Sequence, residues 1–494
     1  MKIIQKTAVA LAALLLFGVC GCGISQEPKT LTVFAMDTVV TLTAYGENAG
    51  PALDAAVQKL NEYDAALDVV SGDIGNINSH AGEFVEVSAE VYQLLSDCVR
   101  ISRQTDGAFD VTVGKYIELW GFRSQTRIPS QEELAGAAAF AGRARAVTPC
   151  RPNFLFILAD DLAPFSLAAY GNAVCRTPHL DRLAAEGMTV DGAHIMGSWS
   201  GAVCMPSRTM LMTGRGLWHI PGQGNPHAKD PALVPPDLAA QSLPAVFNRA
   251  GYDTFRTCKE GNSYPAANAL FKTRHERTCR DDAGDCGSAW HADRVLEHLD
   301  RRRTEGARDP FLIYLGFSFP HDPRNAHPDR LARYGAVNEL VPDAPVNPAA
   351  PPLPANYLPE HPFPHGHPKL RDEEQVQGVM KSRAEAVIRN ETGREYACIE
   401  EMDAQIGRVL DRLQETGELE STFVVFTADN GIAVGRHGLM GKQNLYEHSW
   451  RVPFLARGPG IAPGSRAAGN LYLMDLLPTF CDLASVAAPA TCEG

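Results

Sequence analysis

Three continuous apolar runs, each closed by polar residues, constrain the fold of this chain more than any other sequence feature. They are PNFLFILADD, PFLIYLGFSFPH and TFVVFTADNG, at 152–161, 310–321 and 422–431. Continuous rather than alternating apolarity is typical of strands that are buried on both faces, as in a parallel sheet covered by helices. Segments with helical periodicity lie between the runs. The sequence therefore predicts an α/β domain with a mostly parallel sheet.

Polar candidates for a functional site follow each of these runs. Asp160 and Asp161 close the first run, His321 closes the second, and Asp429 and Asn430 close the third. A single Asp pair after a strand is weak evidence, because such residues also form turns and helix caps. Ligands of open α/β sheets bind beyond the carboxyl ends of the strands, so three such ends together indicate a site.

The three carboxylates and one amide of these strand ends form an oxygen-only ligand set. Such a set suits a hard cation, calcium or magnesium, and does not suit zinc. A divalent ion would offset the repulsion among the aspartates and could polarise an anionic substrate.

The stretch CMPSRTMLMTGR, at 204–215, resembles the opening of a helix. Pro206 suits the first helical turn, so Cys204 would lie at the helix N-terminus, where free backbone amides favour an anion. Arg208, four residues on, can reach the same face. No zinc ligand set lies nearby in the sequence, which favours a reactive Cys204 over the alternative of a buried inert thiol.

The pattern C-x-P-S-R-x-x-x-x-T-G-R at Cys204 to Arg215 resembles the type I sulfatase signature, whose cysteine is oxidised after translation to formylglycine. RPNFLFILADDL, TPHLDRLAAEGM and FTADNG resemble further sulfatase blocks in the expected order. The resemblance runs from about residue 151 to the last residue. It implies an alkaline-phosphatase-like α/β fold and hydrolysis of a small-molecule or carbohydrate sulfate ester, with a formylglycine-generating enzyme as maturation partner.

The resemblance also implies roles for individual residues. The metal ligands would be Asp160, Asp161, Asp429 and Asn430. Cys204, as formylglycine hydrate, would supply the nucleophilic hydroxyl, and Arg208 would stabilise it. Lys259, His321 and Lys442 would hold the sulfate and assist the leaving group. In the family's mechanism the sulfated hydrate then collapses to the aldehyde and expels sulfate, which is covalent nucleophilic catalysis.

Two departures from the family pattern carry expectations. Gly261 stands where the family usually has a histidine, so either Asn262 takes that role or the leaving-group chemistry differs. The chain stops at LASVAAPATCEG, where sulfatases typically continue into a smaller C-terminal domain. We therefore expect a sulfatase domain at 150–494 that lacks its C-terminal subdomain. A catalytically silent fusion of two truncated domains is an alternative.

An α+β segment precedes this domain. MDTVVTL and TDGAFDVTVG, at 36–42 and 105–114, resemble the N-terminal part of the lipoprotein FAD:protein FMN transferase. That resemblance implies flavin contacts by Met36, Ala108, Phe109 and Asp110; alternatively these residues only shape a turn and a core. It ends near residue 137 without the magnesium-binding half. We therefore expect a partial domain at 23–137 and a linker at 138–149, and flavin transfer is the alternative function.

The first 22 residues, MKIIQKTAVALAALLLFGVCGC, have the pattern of an export signal, which is too short to span a bilayer. Val19 to Cys22 resembles a lipobox that would anchor Cys22 to a membrane through lipid; an ordinary signal with incidental cysteines is the alternative. Both predict export, and the lipobox predicts a periplasmic or cell-surface lipoprotein. A net charge of −13 without a basic stripe excludes nucleic acid as a partner.

Two weaker patterns leave alternatives open. Among the 12 cysteines, a local bridge between Cys279 and Cys286 is one option, and their spread does not indicate a disulfide-stapled small domain. His361, His365 and His367 lie in a proline-rich segment, which favours a solvated loop over a metal site.

Overall fold

A computed structural model describes residues 28–104, without 37, 70 and 81–84, and residues 151–494, without 199–202, 223–232, 262, 342 and 361–382. The chain divides into two compact units, Met1–Val147 and Thr148–Gly494. Several predicted features lie outside the described residues: Cys22, Ala108, Phe109, Asp110, the linker at 138–149, Asn262, and the histidines at 361, 365 and 367.

The first unit contains an antiparallel hairpin and helices, as the α+β prediction required. Its elements are β1 (Lys29–Ala35), β2 (Thr38–Ala44), α1 (Ala49–Leu67), α2 (Asp73–Ser79) and α3 (Ala89–Gln104). Lys29 pairs with Ala44, and Ala35 pairs with Thr38. Met36 lies in the connecting turn at a positive φ of 52°, and its backbone N–H donates to Asp64 Oδ1 on α1 at 2.7 Å. Met36 thus shapes a turn, while its contact with a flavin stays a prediction.

The second unit is built on an eight-stranded sheet in the order β10-β4-β9-β8-β3-β7-β5-β6. Its strands are β3 (Asn153–Asp160), β4 (Met188–His194), β5 (Asp253–Cys258), β6 (Thr273–Glu276), β7 (Phe311–Pro320), β8 (Thr422–Ala428), β9 (Phe454–Arg457) and β10 (Ser465–Tyr472). Strand β9 is antiparallel to both of its neighbours, and all other pairs are parallel. The predicted mostly parallel sheet is confirmed.

The α-helices of the second unit are α4 (Pro178–Glu186), α5 (Cys204–Thr213), α6 (Leu243–Arg249), α7 (Pro265–Asn268), α8 (Ser288–Glu305), α9 (Pro328–Arg333), α10 (Glu385–Glu415), α11 (Glu447–Trp450) and α12 (Leu476–Leu483). Helix α10 packs against α4, α8, α9 and β7. No helix in the described part of the chain is both long enough and apolar enough to cross a membrane.

The three apolar runs form the adjacent central strands β8, β3 and β7. All ten residues of β7 and all seven of β8 are buried. The Phe154 ring of β3 lies against the rings of Phe247 on α6 and Phe480 on α12 at centroid distances of 5.5 and 4.9 Å. Burial on both faces explains why these runs are continuously apolar, and it fixes the strand ends firmly.

Cysteines of the second unit differ in state. Cys279 and Cys286 form the local disulfide that the spacing allowed. Cys204 and Cys258 are buried free thiols. Cys204 is therefore available for other chemistry, in agreement with the prediction from the sequence.

Candidate active site

The carboxyl ends of β3 and β8 are joined directly. Asp160 is the last residue of β3, and Asp161 follows in the left-handed region with φ 67°. An aspartate tolerates this conformation better than most side chains. The Asp161 backbone N–H donates to Asp429 Oδ1 at 3.2 Å, and the Leu162 N–H donates to the Asn430 carbonyl at 2.8 Å. This turn brings the two aspartates of β3 onto the end of β8.

Helix α5 begins at Cys204 and is buried along its whole length. Pro206 lies in its first turn. Backbone N–H groups there have no partner within the helix, so a proline costs no helical hydrogen bond. The Ser207 hydroxyl donates to the Asp429 carbonyl oxygen at 2.7 Å and fixes the helix to the end of β8. The predicted helix start at Cys204 is confirmed.

The Cys204 thiol lies among polar groups of the strand ends. Its Sγ is 3.9 Å from Oδ1 of both Asp160 and Asp161. Asn430 Nδ2 donates to this sulfur at 3.4 Å, and Lys442 Nζ donates at 3.1 Å. A side chain at this position therefore contacts acids, an amide and an ammonium group at once.

Each aspartate of the site is paired with a cation: Asp160 with Lys259, Asp161 with Lys442, and Asp429 with Arg208. The Lys259 pair measures 2.7 Å, and Arg208 Nε lies 2.8 Å from Asp429 Oδ2. Arg208 Nη2 is also 3.3 Å from Asp160 Oδ1, although it is not aligned for a hydrogen bond. The three cations therefore all contact aspartates at the carboxyl ends of β3 and β8.

The pKa values of the buried groups differ with their neighbours. Burial opposes ionisation of Asp160, yet Lys259 and Arg208 hold its pKa well below the usual range. Burial raises the pKa of Asp161, and Lys442 offsets this effect only in part. Burial also raises the pKa of the Cys204 thiol well above its ordinary value. An unmodified Cys204 would thus be protonated at neutral pH and a poor nucleophile.

His321 lies at the same edge of the sheet and is partly exposed. Its Nδ1 is 2.8 Å from the Asp322 carbonyl oxygen and 3.1 Å from Asp322 Oδ1, and its Nε2 is 3.6 Å from Asp161 Oδ2. A hydrogen bond from Nδ1–H to the carbonyl orients the ring and leaves Nε2 toward the cluster.

Two residues of this site were not predicted from the sequence. Asp322 contacts His321, and its only signal was that it directly follows His321 after the second apolar run. The Cys258 sulfur accepts from Arg208 Nη1 at 3.2 Å. Its only signal was its position before Lys259 at the end of β5.

The donor set fits a divalent cation. Ligand atoms of Asp160, Asp161, Cys204 and Asp429 all lie within 4.8 Å of one another. Asn430 Oδ1 is buried without a hydrogen-bond partner among the described residues, which is costly for a carbonyl oxygen unless a cation or another donor satisfies it. Carboxylate and amide oxygens are the ligands that calcium and magnesium prefer.

The predicted site residues of the second unit converge at one edge of the sheet: Asp160, Asp161, Cys204, Arg208, Lys259, His321, Asp429, Asn430 and Lys442. Gly261 has φ 68°, and a Cβ added to it would meet no atom within 4 Å. The space for a larger side chain there is open in the described structure. The individual roles of these residues remain predictions.

Comparison with known families gives two matches along the chain. The sulfatase family matches residues 152–486, and the ApbE family matches residues 36–155. The two matches confirm both resemblances, the sulfatase-like one and the flavin-transferase-like one, in the order in which the sequence presents them.

Individual relatives agree with the larger match. Human iduronate 2-sulfatase is 24% identical over 402 residues, which cover 69% of this chain and 70% of the relative. N-acetylglucosamine-6-O-sulfatase of Bacteroides thetaiotaomicron is 24% identical over 418 residues, 70% of each chain. The structure of a protein in complex with its substrate D-glucosamine-2-N,6-O-disulfate is similar with a TM-score of 0.51 at 22% identity. That match covers 70% of this chain and 78% of the other, and it bears on the fold alone.

Proposed function

Since the chain belongs to the sulfatase family, we propose that the cluster around Cys204 hydrolyses sulfate monoesters after Cys204 has been converted to formylglycine. The observation that carries this proposal is the position of Cys204 at the N-terminus of α5. There its Sγ lies 3.1 Å from Lys442 Nζ and 3.9 Å from carboxylate oxygens of Asp160 and Asp161. The hydrate of formylglycine supplies the hydroxyl that attacks sulfur.

The metal ligands in this proposal are Asp160, Asp161, Asp429 and Asn430. The unpartnered Asn430 Oδ1 and the three carboxylates support a calcium or magnesium ion there. Such an ion, when bound, supplies positive charge to an anionic ester. The protein's own part is to hold four oxygen donors on two neighbouring strand ends, so that little rearrangement is needed on binding.

Arg208 positions the nucleophilic residue and the metal ligands together. Its guanidinium is fully buried between Asp160, Asp429 and Cys258. The two carboxylates outweigh the cost of burial and raise the pKa of Arg208 well above its ordinary value. Arg208 therefore stays charged throughout the reaction and keeps the Asp429 carboxylate oriented.

Lys259 and Lys442 hold the sulfate in this proposal. Lys442 Nζ contacts both Asp161 and Cys204, and Lys259 Nζ contacts Asp160. A sulfate monoester carries one negative charge where a phosphate monoester carries nearly two. One divalent ion with these few cationic side chains is adequate compensation for the single charge of a sulfate monoester.

His321 moves a proton to the leaving oxygen in this proposal. Its Nδ1 is engaged with Asp322, so its Nε2 is the nitrogen that serves the cluster. Gly261 provides no second proton donor. We infer that esters whose leaving groups depart without full protonation are cleaved best.

The substrate class in this proposal is a small-molecule or carbohydrate sulfate ester. The relatives named above include N-acetylglucosamine-6-O-sulfatase, which supports a sulfated sugar. A formylglycine-generating enzyme would act on Cys204 during maturation. Export, with a lipid anchor at Cys22, completes the proposal and rests on the sequence of residues 1–22.

The test combines peptide mass with turnover. The full chain is expressed with and without a formylglycine-generating enzyme, and the tryptic peptide that contains Cys204 is weighed in both samples. We expect the aldehyde mass and aryl sulfate hydrolysis only in the first sample. An aldehyde-containing protein that cleaves aryl phosphate faster than aryl sulfate would overturn the assignment.

A further inference from the structure

A cavity of about 460 Å³ opens between β4, β10 and α11. Its walls carry acids, an amide and aromatic rings, namely Asp191, His194, Glu447, Trp450, Asn470 and Tyr472. None of these residues belongs to the candidate active site. The volume lies within the range of small-molecule sites, which is about 300–1,000 Å³.

The aromatic wall of this cavity is held in place. The His194 and Trp450 ring centroids are 4.5 Å apart, and those of His194 and Tyr472 are 6.1 Å apart. The Trp450 indole N–H donates to Glu447 Oε1 at 3.1 Å, which fixes the ring. A fixed indole offers a flat apolar surface against which a sugar ring can lay its C–H groups.

The charged groups of the wall are already paired. Arg466 holds both carboxylate oxygens of Asp191, at 2.6 and 3.0 Å. Arg451 Nη1 lies 3.7 Å from Glu447 Oε2. A carboxylate oxygen keeps further acceptor capacity after one such bond, so both acids can still accept from hydroxyl groups. The cavity thus suits an uncharged ligand rich in hydroxyl groups better than an ion.

Gly192 leaves space for the Asn470 side chain, which lies in the cavity wall. A Cβ at this position would lie 2.7 Å from Asn470 Oδ1 and 2.9 Å from the Gly469 carbonyl oxygen. Any other residue at 192 would therefore displace Asn470 from the cavity wall. The glycine allows the Asn470 side chain to lie directly over β4.

Backbone hydrogen bonds connect this cavity to the active site. The N–H of Gly431, which follows Asn430, donates to the Ser449 carbonyl at 2.8 Å. The Ile195 N–H donates to the Trp450 carbonyl at 2.9 Å. Helix α11, which carries Trp450, is thereby fixed to the loop that begins at the proposed metal ligand Asn430.

We propose that this cavity binds a neutral pyranose ring, as a saccharide unit of the substrate other than the one that carries the cleaved sulfate. The proposal rests on the proposed function in taking the substrate to be a carbohydrate. The fixed indole, the paired carboxylates and the amide over Gly192 together provide stacking and hydroxyl recognition without net charge.

Calorimetric titration with neutral hexasaccharides, namely cellohexaose, chitohexaose, xylohexaose and galactohexaose, tests the proposal. We expect the full chain to bind at least one of them, Trp450→Ala to weaken that binding at least tenfold, and Trp450→Phe to restore part of it. Gly192→Val should weaken it similarly by displacing Asn470. Trp218→Ala, at an exposed tryptophan outside the cavity, is the control and should leave binding unchanged.

Failure of this proposal can be told from failure of the proposed function. Binding is measured without turnover, and hydrolysis of 4-nitrophenyl sulfate is measured separately. We expect Trp450→Ala to leave kcat/KM for the aryl sulfate unchanged. Absence of binding to all four sugars, or equal binding by wild type and a folded Trp450→Ala variant, overturns the sugar site. Absence of aryl sulfate hydrolysis defeats the proposed function alone.

Discussion

Strands β1 and β3 have similar lengths but opposite surroundings. Five of the seven residues of β1 are exposed, whereas seven of the eight residues of β3 are buried. The turn after β1 presents Met36, which is 37% exposed, while β3 ends at Asp160 and is followed by Asp161, and both aspartates are almost fully buried. The difference teaches that a strand end orients reactive groups strongly when helices cover both faces of its sheet, because neighbouring elements then restrict every side chain.

The largest expected effect concerns the nucleophilic residue of the second unit. Cys204→Ala should lower kcat/KM for aryl sulfate by about 10,000-fold or more, because the covalent route is lost. Steady-state assays of the matured enzyme measure this. Cys98→Ala, at a free cysteine in the first unit, is the control and should keep full activity. Equal activity of wild type and Cys204→Ala would show that Cys204 is not the nucleophilic residue.

The second effect concerns the junction of β3 and β8. Asp429→Ala should lower turnover by about 1,000-fold and weaken calcium or magnesium binding, since it removes a proposed ligand and deprives the buried Arg208 of its hydrogen-bonded carboxylate. Titration calorimetry gives the metal affinity. Asp429→Asn keeps one oxygen donor, so its turnover and metal affinity should lie between those of the wild type and of Asp429→Ala. Unchanged metal affinity in Asp429→Ala would contradict the ligand assignment.

The third effect concerns leaving groups. Because Gly261 leaves a gap where a second proton donor would stand, kcat/KM for an aryl sulfate should exceed that for a matched sugar sulfate by about 100-fold. Gly261→His should narrow this ratio, although the positive φ at this position makes the substitution strained. A wild-type preference for the sugar sulfate would show that another group protonates the leaving oxygen.

The fourth effect concerns the cost of burying charge in the second unit. Burial raises the pKa of Asp282 to about 7, although its Oδ1 accepts the Ser288 N–H at the start of α8. A raised folded pKa gives stability that is present below the unfolded value, about 4, and is lost as pH rises through 7. Asp282→Asn keeps the hydrogen bond without titrating, so its melting temperature should fall less between pH 4 and 8.

Glu62 of the first unit provides the matched comparison for Asp282. It is exposed, and a hydrogen bond from Lys59 lowers its pKa. Its contribution has the opposite sign, because it is present at neutral pH and is lost as pH falls below about 4. Glu62→Gln should change the melting temperature little at any pH. An equal pH dependence of wild type and Asp282→Asn would contradict the buried-charge explanation.

The smallest expected effect concerns flavin chemistry in the first unit. We expect no covalent FMN on an acceptor protein after incubation with FAD and magnesium, because the ApbE family matches only residues 36–155 and we expect this partial domain to lack the metal-binding half. Mass spectrometry of the acceptor measures this. FMN transfer by the wild type that is lost in the Asp110→Ala variant would contradict this prediction, because it would show flavin-transferase activity in the first unit.

How much of the fold could be predicted depends on strand burial. Strands β3, β7 and β8 were predictable because both of their faces are apolar. The outer strands are β6 (TRHE), which is short, and β10 (SRAAGNLY), which contains several polar or small residues. Every residue of both strands is partly or fully exposed, so neither strand shows a continuous apolar run in the sequence. The antiparallel direction of β9 also follows from tertiary connections that a local pattern does not contain.

The candidate site was predictable to a similar degree. The oxygen ligands that we propose follow from the rule that parallel strand ends share an edge. Lys259 and Lys442 entered only through the family resemblance, because a lone lysine has no local signal. Cys258 and Asp322 were missed because their contacts with Arg208 and His321 depend on how separate strand ends meet.

The pairing of three aspartates with three cations has a thermodynamic consequence. The formal charges of Asp160, Asp161 and Asp429 are balanced by those of Arg208, Lys259 and Lys442, so the cluster is neutral by itself. A divalent cation that enters adds two uncompensated positive charges, which an anionic ester then reduces. Metal and ester must therefore strengthen each other's binding by the same factor, so the affinity measured for either ligand depends on the concentration of the other.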